Sequence, residues 1–166
     1  MDSPVARFRQ FYELLIDARI KFILIGGAAA NLHGSPRFTL DVDIVYARDE
    51  ENMRRLTECL APLHPYLRGA PPGLPFTLDF RTLRNGLNFT LVTDWGRLDL
   101  LGEAAAQGYA QLLPHAHDKE VDGLQVLTVD LDKLIELKRA AGRGKDTEMI
   151  AELEAIRQER SASRRE

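Results

Sequence analysis

The stretch from Phe22 to Tyr46 constrains the fold of this chain more than any other. An apolar run, Phe22–Ile25, stops at a pair of glycines, and a segment of small residues follows. A second apolar run then opens with Asp41 and Asp43 and continues to Tyr46. Short apolar runs bounded by breakers are typical of buried strands, and the small residues between them favour a helix. The stretch therefore predicts a strand, a short helix over Gly27–His33 and a second strand.

The second strand carries two carboxylates on one face. Side chains two residues apart in a strand point the same way and lie ~7 Å apart. Asp41 and Asp43 would repel each other unless a cation lies between them. Because neither Cys nor His accompanies them, a hard divalent ion such as Mg²⁺ or Mn²⁺ is the natural partner. We therefore expect a metal site on this strand.

The glycine pair suggests a second ligand at the same place. Gly26 and Gly27 stand where a strand ends and a helix begins, so the backbone there allows close approach and presents free N–H groups. Such a place suits a phosphate. An anion cradle and a metal site within one strand-helix-strand unit together indicate a nucleoside triphosphate.

These residues resemble the signature of the nucleotidyltransferase superfamily to which DNA polymerase beta belongs. Within it, the sequence is similar to minimal bacterial nucleotidyltransferase-like proteins related to AbiEii-type abortive-infection toxins. The resemblance covers residues ~20 to ~150 and rests on the motifs and their spacing. The residues that carry the closer resemblance are Ala28, His33-Gly34, Pro36-Arg37, Thr39, Lys138 and Gly142-Arg143-x-Lys145-Asp146.

The resemblance implies further site residues and a reaction. Asp99, on a later apolar strand, is where the superfamily keeps its third carboxylate. Lys138 and Lys145 would contact the triphosphate, with Asp146 orienting them. The implied activity is metal-dependent transfer of a nucleoside monophosphate from an NTP such as ATP to a hydroxyl of RNA or protein. A toxin role with an antitoxin partner would follow. One departure is Gly27, because many active members have Ser there and would gain a hydroxyl contact to phosphate.

Three carboxylates have a chemical use that fits this reaction. They can hold two divalent ions ~3.5 to 4 Å apart, one at the attacking hydroxyl and one at the departing pyrophosphate. The hypothesis requires that Asp99 converge with Asp41 and Asp43. It fails if Asp99 points away, or if a lysine or arginine permanently fills the gap among the three.

Other residues near the motif have two interpretations each. Arg37 and Thr39 lead into the metal strand. Arg37 would balance the carboxylates or hold a phosphate in a functional role, and it would form a surface salt bridge in a structural one. His33 is expected to anchor the loop by hydrogen bonds rather than act as a base. Asp79 lies in an alternating segment, Phe76–Phe80, which predicts a strand, and is the rival of Asp99.

The rest of the chain predicts an α/β (α+β) fold with a mixed central sheet flanked by helices. Proline and glycine over residues 62–75 indicate an ordered connection over one edge of the sheet, and a substrate-gating loop is one interpretation of it. The remaining predicted segments are helices over 4–19, 50–61 and 102–113, strands over 88–92 and 97–101, a hairpin over 119–129, a helix capped by Asp130 and a last helix beginning at Asp146.

Length and composition set outer bounds. The 166 residues suit a single domain, which we place at residues 1–156, with a basic, fraying tail at 157–166. The net charge of −3 gives no global attraction to nucleic acid. Cys59 is the one cysteine, so no disulfide can form within the chain, and we expect the protein to lie in the cytoplasm. No apolar run approaches the ~20 residues of a membrane span.

Four alternatives remain open. His115 and His117 have the spacing of a metal-binding pair but lack a third strong ligand nearby. The Asp-x-Asp motif also resembles that of haloacid-dehalogenase phosphatases, where the aspartates follow a strand instead of opening one. Glycosyltransferases use Asp-x-Asp as well, in longer chains. The strongest alternative is an inactive nucleotidyltransferase-like domain that binds nucleotide, RNA or a protein partner.

Overall fold

The computed structural model describes residues 4–165. The helices are α1 (Pro4–Asp17), α2 (Gly26–Leu32), α3 (Glu50–Leu60), α4 (Phe80–Asn85), α5 (Tyr109–Leu112), α6 (Leu131–Ala141) and α7 (Thr147–Ser163). The strands are β1 (Phe22–Ile25), β2 (Asp41–Tyr46), β3 (Tyr66–Leu67), β4 (Asn88–Thr93), β5 (Gly96–Leu101), β6 (Ala116–Val121) and β7 (Leu124–Val129). Short 3₁₀ helices cover Ala61–Leu63, Leu113–His115 and Gly144–Asp146.

The strands form one mixed sheet in the order β3-β4-β5-β2-β1-β7-β6. β2 pairs with β5, and β1 with β7, in parallel, whereas the other neighbours are antiparallel. The predicted α/β class with a mixed central sheet is confirmed. β2, the strand with the two carboxylates, lies in the middle of the sheet, so its position is fixed from both sides.

The core explains why β1 and β2 are the rigid centre. All four residues of β1 are buried, and so are Val42, Ile44, Val45 and Tyr46 of β2. The polar residues of β2 are confined to its first half, where Asp41 and Asp43 are only partly covered. Burial of the apolar half holds the two carboxylates in place.

His33 anchors the end of α2, as predicted. Its side chain is buried, and its Nε2 lies 2.8 Å from the carbonyl oxygen of Val129 in β7. Arg160 of α7 donates to the His33 carbonyl oxygen at 2.9 Å. The pKa of His33 is lowered, and burial of the ring is the largest cause. The neutral ring thus joins α2 to the sheet.

The predicted strand over Phe76–Phe80 is wrong. Asp79 caps α4 instead, accepting a hydrogen bond from the backbone N–H of Thr82 at 2.8 Å. Phe80 packs under the guanidinium of Arg54, 4.0 Å from the ring centre. A local cap therefore overrides the alternating pattern.

The chain also departs from prediction at its end and in two loops. α7 continues through Ser163, so residues 157–163 of the predicted tail are helical, and Arg160 there donates to the carbonyl oxygen of His33; Glu166 lies outside the described residues. The helical segment predicted at 102–113 is limited to α5 and the 3₁₀ helix after it, and β6 begins at Ala116, so His117 lies in a strand. The connection at 62–75 contains β3. A single domain over 1–156 stays a prediction.

None of the helices described for residues 4–165 combines the length and apolar character that a membrane crossing needs.

Asp79→Ala tests the corrected assignment of α4. Loss of the cap should lower the free energy of unfolding, whereas Asp79→Asn, which keeps an accepting oxygen, should lower it much less. Urea titration of the three proteins measures this. Equal stability of all three would contradict the capping role.

Candidate active site

The three predicted carboxylates converge. β2 and β5 pair in parallel with Asp41 opposite Arg97 and Asp43 opposite Asp99. Each of Asp41, Asp43 and Asp99 offers a ligand oxygen, and these oxygens lie within 4.8 Å of one another. Among the residues that the structure describes, no other group of three such side chains has this spacing. The site is therefore built by two central strands instead of by loops.

A glycine makes room for the site. Gly26 has φ +71°, and a Cβ on it would collide with carboxylate oxygen Oδ2 of Asp43. The close approach that the sequence predicts at Gly26 is thus made by a carboxylate of the chain itself. At Gly27, a Cβ would lie 2.9 Å from Oγ1 of Thr39. Gly26 is therefore required by its neighbour, whereas a side chain at position 27 would need Thr39 to shift.

Two carboxylate oxygens at the centre have no partner. Oδ1 of Asp41 and Oδ1 of Asp43 are buried and accept no hydrogen bond. Burial, then the charge and hydrogen bond of Asp99, then the charge of Asp41, raise the pKa of Asp43 to about 7, and Lys138 acts in the opposite direction. Unpartnered buried oxygens are costly. A hard divalent cation would satisfy them, so these residues fit one.

Arg68 also reaches the site, which the sequence did not indicate. Its Nη2 donates to Oδ1 of Asp99 at 2.6 Å and to the carbonyl oxygen of Leu91 at 2.8 Å. Its Nη1 lies 4.0 Å from Oδ2 of Asp41. The guanidinium therefore lies beside two of the carboxylates but leaves the unpartnered oxygens of Asp41 and Asp43 free.

Arg97 is a second cation that sequence reasoning missed. Its Nη1 lies 3.7 Å from Oδ1 of Asp41, beyond hydrogen-bond distance, and its side chain is half exposed. A signal was present, because Arg97 stands two residues before Asp99 on the same strand and so shares its face.

The late Lys/Arg/Asp block meets the carboxylates across a cavity of about 420 Å³. Asp146 is buried and pairs with Lys138, whose Nζ lies 3.6 Å from Oδ1, and with Arg143, whose Nε donates to Oδ2 at 2.8 Å. Beside the three carboxylates, the predicted residues that line this cavity are Gly27, Arg37, Thr39, Lys138, Lys145 and Asp146. The cavity thus combines an acidic floor, formed by Asp41, Asp43 and Asp99, with a cationic wall, formed by Lys138, Arg143 and Lys145.

Arg37 forms salt bridges with α7. Its Nε donates to Glu152 at 2.6 Å, and its Nη2 lies 3.2 Å from Glu148. These contacts correspond to the salt-bridge interpretation and not to a balance of the carboxylates. Thr39 Oγ1 accepts a hydrogen bond from the backbone N–H of Asp41 at 3.3 Å, which joins the entering loop to β2.

The remaining polar candidates lie elsewhere. Asp79 is a helix cap. His115 and His117 belong to no group of three metal-binding side chains among residues 4–165. Burial raises the pKa of the Cys59 thiol to about 12, and its Sγ lies 3.3 Å from the Leu56 carbonyl oxygen, as expected for an unreactive, partly buried cysteine packed against the core.

Comparisons with known proteins give the fold. The sequence matches no protein-family model and no curated protein. Among solved structures, it is similar to TM1012 of Thermotoga maritima, described as a "putative nucleotidyltransferase", at a TM-score of 0.57 and 15% identity over 87% of this chain and 88% of that one. It is also similar to the antibiotic-resistance factor ANT(2'')-Ia, at a TM-score of 0.52 and 14% identity over 96% of this chain and 93% of that one. The chain therefore has a nucleotidyltransferase-like fold.

Asp43→Asn should change how stability depends on pH in metal-free protein. Folding raises the pKa of Asp43 from 3.8 to about 7, so the folded state holds this proton more tightly than the unfolded state does. Wild type should thus lose stability as pH rises from about 4 to 7. The asparagine cannot ionise, so the variant should be more stable by roughly 1–3 kcal/mol at about pH 8, with a smaller difference towards pH 4.

Urea unfolding in EDTA at several pH values measures this. Asp118→Asn, which removes an exposed carboxylate of β6, is the control for net charge. Parallel pH profiles for wild type and Asp43→Asn would show that Asp43 ionises as freely in the folded state as in the unfolded one.

Gly26→Ala should lower the free energy of unfolding by about 1–3 kcal/mol or more, because the alanine adds backbone strain and its Cβ collides with Asp43. Gly144→Ala is the matched control, since a Cβ there meets nothing within 4 Å. Thermal or urea unfolding decides, and equal losses in the two variants would show that Gly26 is not constrained.

Proposed function

We propose that this chain is a metal-dependent nucleotidyltransferase that moves a nucleoside monophosphate from an NTP to an acceptor hydroxyl. The observation that carries the proposal is the convergence of Asp41, Asp43 and Asp99 in a cavity whose opposite wall carries lysines and arginines. Carboxylates suit a divalent ion, and lysines beside them suit the phosphates that such an ion accompanies. The fold is in agreement, although fold alone does not define function.

Asp41, Asp43 and Asp99 would hold Mg²⁺ or Mn²⁺. The unpartnered oxygens of Asp41 and Asp43 support this assignment. When bound, the ions supply charge neutralisation at the phosphates and activation of the attacking hydroxyl. The chain itself provides orientation, because Gly26 and the β2–β5 pair fix the carboxylates before any ligand arrives.

The cationic wall would receive the triphosphate. Lys138 and Lys145 line the cavity, and buried Asp146 holds Lys138 towards the carboxylates. Gly26 and Gly27 would present backbone, and Arg37 would stand at the edge through its salt bridges to α7. In the reaction, the acceptor oxygen bonds to the α-phosphorus, the bond from that phosphorus to the pyrophosphate oxygen breaks, and the hydroxyl proton is released.

Thr39 supports the proposal at the one departure from the superfamily pattern. Gly27 lacks the hydroxyl that a serine would bring. The hydroxyl of Thr39 stands 2.9 Å from the place where a Cβ of residue 27 would be. Thr39 would therefore supply a hydroxyl to the phosphates at this point.

For the acceptor, we propose RNA or protein, with ATP or another NTP as donor, in the cytoplasm. This choice, a toxin role and an antitoxin partner follow from the sequence resemblance to AbiEii-type proteins. The cationic residues around the site, Arg68, Arg97, Arg143 and Lys145, favour a polyanionic acceptor over a neutral one.

A second candidate function is a nucleotide- or partner-binding domain without catalysis. Arg68 favours it, since a guanidinium 2.6 Å from Asp99 takes one of the oxygens that the metal ions would use. The two candidates differ in one measurable property, the transfer of label.

The test compares wild type with Asp41→Asn/Asp43→Asn. The proteins are titrated with Mg²⁺-NTP by calorimetry and then incubated with α-labelled NTPs, bulk RNA and cell extract. Transfer by wild type should fall at least roughly a hundredfold in the double variant, because loss of a ligand exceeds the 10–100-fold effect of a supporting residue. Binding without transfer would support the second candidate. Neither nucleotide binding nor transfer would overturn the first candidate and the nucleotide-binding form of the second.

A further inference from the structure

Arg68 holds one side of the carboxylate group and leaves the other open. Its guanidinium bonds to Oδ1 of Asp99 at 2.6 Å and lies 4.0 Å from Oδ2 of Asp41. Two other oxygens, Oδ1 of Asp41 and Oδ1 of Asp43, are buried and lack any hydrogen-bond partner. The two sides therefore differ in hydrogen bonding, although the three carboxylates offer oxygens within 4.8 Å of one another.

We propose that Arg68 is an internal cation that stands in for one of two divalent ions. The resting protein binds a single ion through Asp41 and Asp43, and a second ion binds only after Arg68 leaves Asp99. The inference rests on the proposed function in one respect, that these carboxylates bind metal. It adds a control step in which departure of Arg68 admits the second ion.

Charge makes the two cations exclusive. Arginine keeps its proton in proteins, so it cannot lose its charge to make room. A divalent ion on Asp99 would lie next to that permanent charge in a partly buried site, where Coulomb repulsion is weakly screened. The side chains of Arg68 and Asp99 are only 24% and 18% exposed. An ion gains Asp99 only by displacing the guanidinium.

The surroundings of Arg68 allow it to leave. It directly follows β3, a two-residue strand at the edge of the sheet. Gly69 comes next with φ +81°, and the proline- and glycine-rich connection continues from there to α4. The Nε of Arg68 is buried without a partner. The guanidinium is thus incompletely bonded, and it follows a two-residue strand that is paired on one side only.

An opposite role is also chemically reasonable. Arg68 would be a positioning residue if it held Asp99 in the orientation that a metal ion needs. Removal of the guanidinium would then weaken metal binding. In the internal-cation role, removal strengthens it, so the direction of the change separates the two.

Mn²⁺ binding to metal-free protein tests the inference, with no nucleotide present. Electron paramagnetic resonance of free Mn²⁺ gives the number of ions and their affinities. We expect wild type to bind one ion tightly, and Arg68→Gln to bind two, the second at least tenfold more tightly than wild type binds a second ion. Arg68→Lys keeps a cation on the same edge and should bind one.

Arg97→Gln is the matched control for charge. It also removes one positive charge near Asp41, but the guanidinium of Arg97 is half exposed, and the ion pair found for it is with Asp41 alone. We expect it to tighten the first ion without adding a second. Circular dichroism and thermal unfolding confirm that each variant is folded.

The outcomes are distinct. One ion in Arg68→Gln, or weaker binding than in wild type, overturns the internal-cation role while the metal site stands. A second ion in Arg97→Gln as well as Arg68→Gln also overturns it, because charge alone would then explain the result. Failure of wild type and all variants to bind Mn²⁺ overturns the proposed function itself, and the inference with it.

Discussion

Like charge held at close range between β2 and β5 is the constraint on which the site depends. The parallel register places Asp43 opposite Asp99, and strand alternation adds Asp41 to the same face. Burial of the apolar half of β2 prevents the strand from turning its acidic face to solvent. The repulsion therefore cannot be relieved by movement of the backbone and must be met by protons, by arginines or by metal ions.

Neighbouring elements respond to this concentration of negative charge. Gly26 leaves space for the Asp43 carboxylate where any side chain would collide. Arg68 arrives from the edge of the sheet, and Lys138 arrives from α6. A buried acid, Asp146, draws Lys138 and Arg143 together where α6 gives way to α7. The acidic centre thus has a cationic border, an arrangement that would suit a metal ion with a phosphate ligand.

The distant structural similarity and the particular residues carry different information. At 14–15% identity, the solved structures establish how the chain is folded. The chemistry has to be argued from side chains, since one fold supports many activities. Two such details are Thr39 set against Gly27 and a guanidinium bonded to Asp99. Under the proposed function, they would affect how metal ions and phosphates are held, and the fold alone does not determine this.

Local features could be predicted from the sequence, and long-range contacts could not. The bounds of β1, the acidic start of β2 and the Asp130 cap follow from neighbouring residues, because burial patterns and caps depend on a few positions. The strand predicted around Asp79 was wrong because two local signals compete there: the alternation over Phe76–Phe80 favours a strand, and the Asp79 cap favours a helix. The meeting of Asp99 with β2 was expected from family resemblance, and the parallel strand pairing achieved it.

Arg68 shows the limit. The proline- and glycine-rich pattern around it does not indicate its partner, and Arg68 reaches Asp99, 31 positions away in the chain, because β3 pairs with β4 and β4 with β5. The sequence by itself determined which carboxylates are held on a buried strand, because side-chain alternation is a local property. Only the tertiary structure decided which cations face them, because that depends on which strands become neighbours in the sheet.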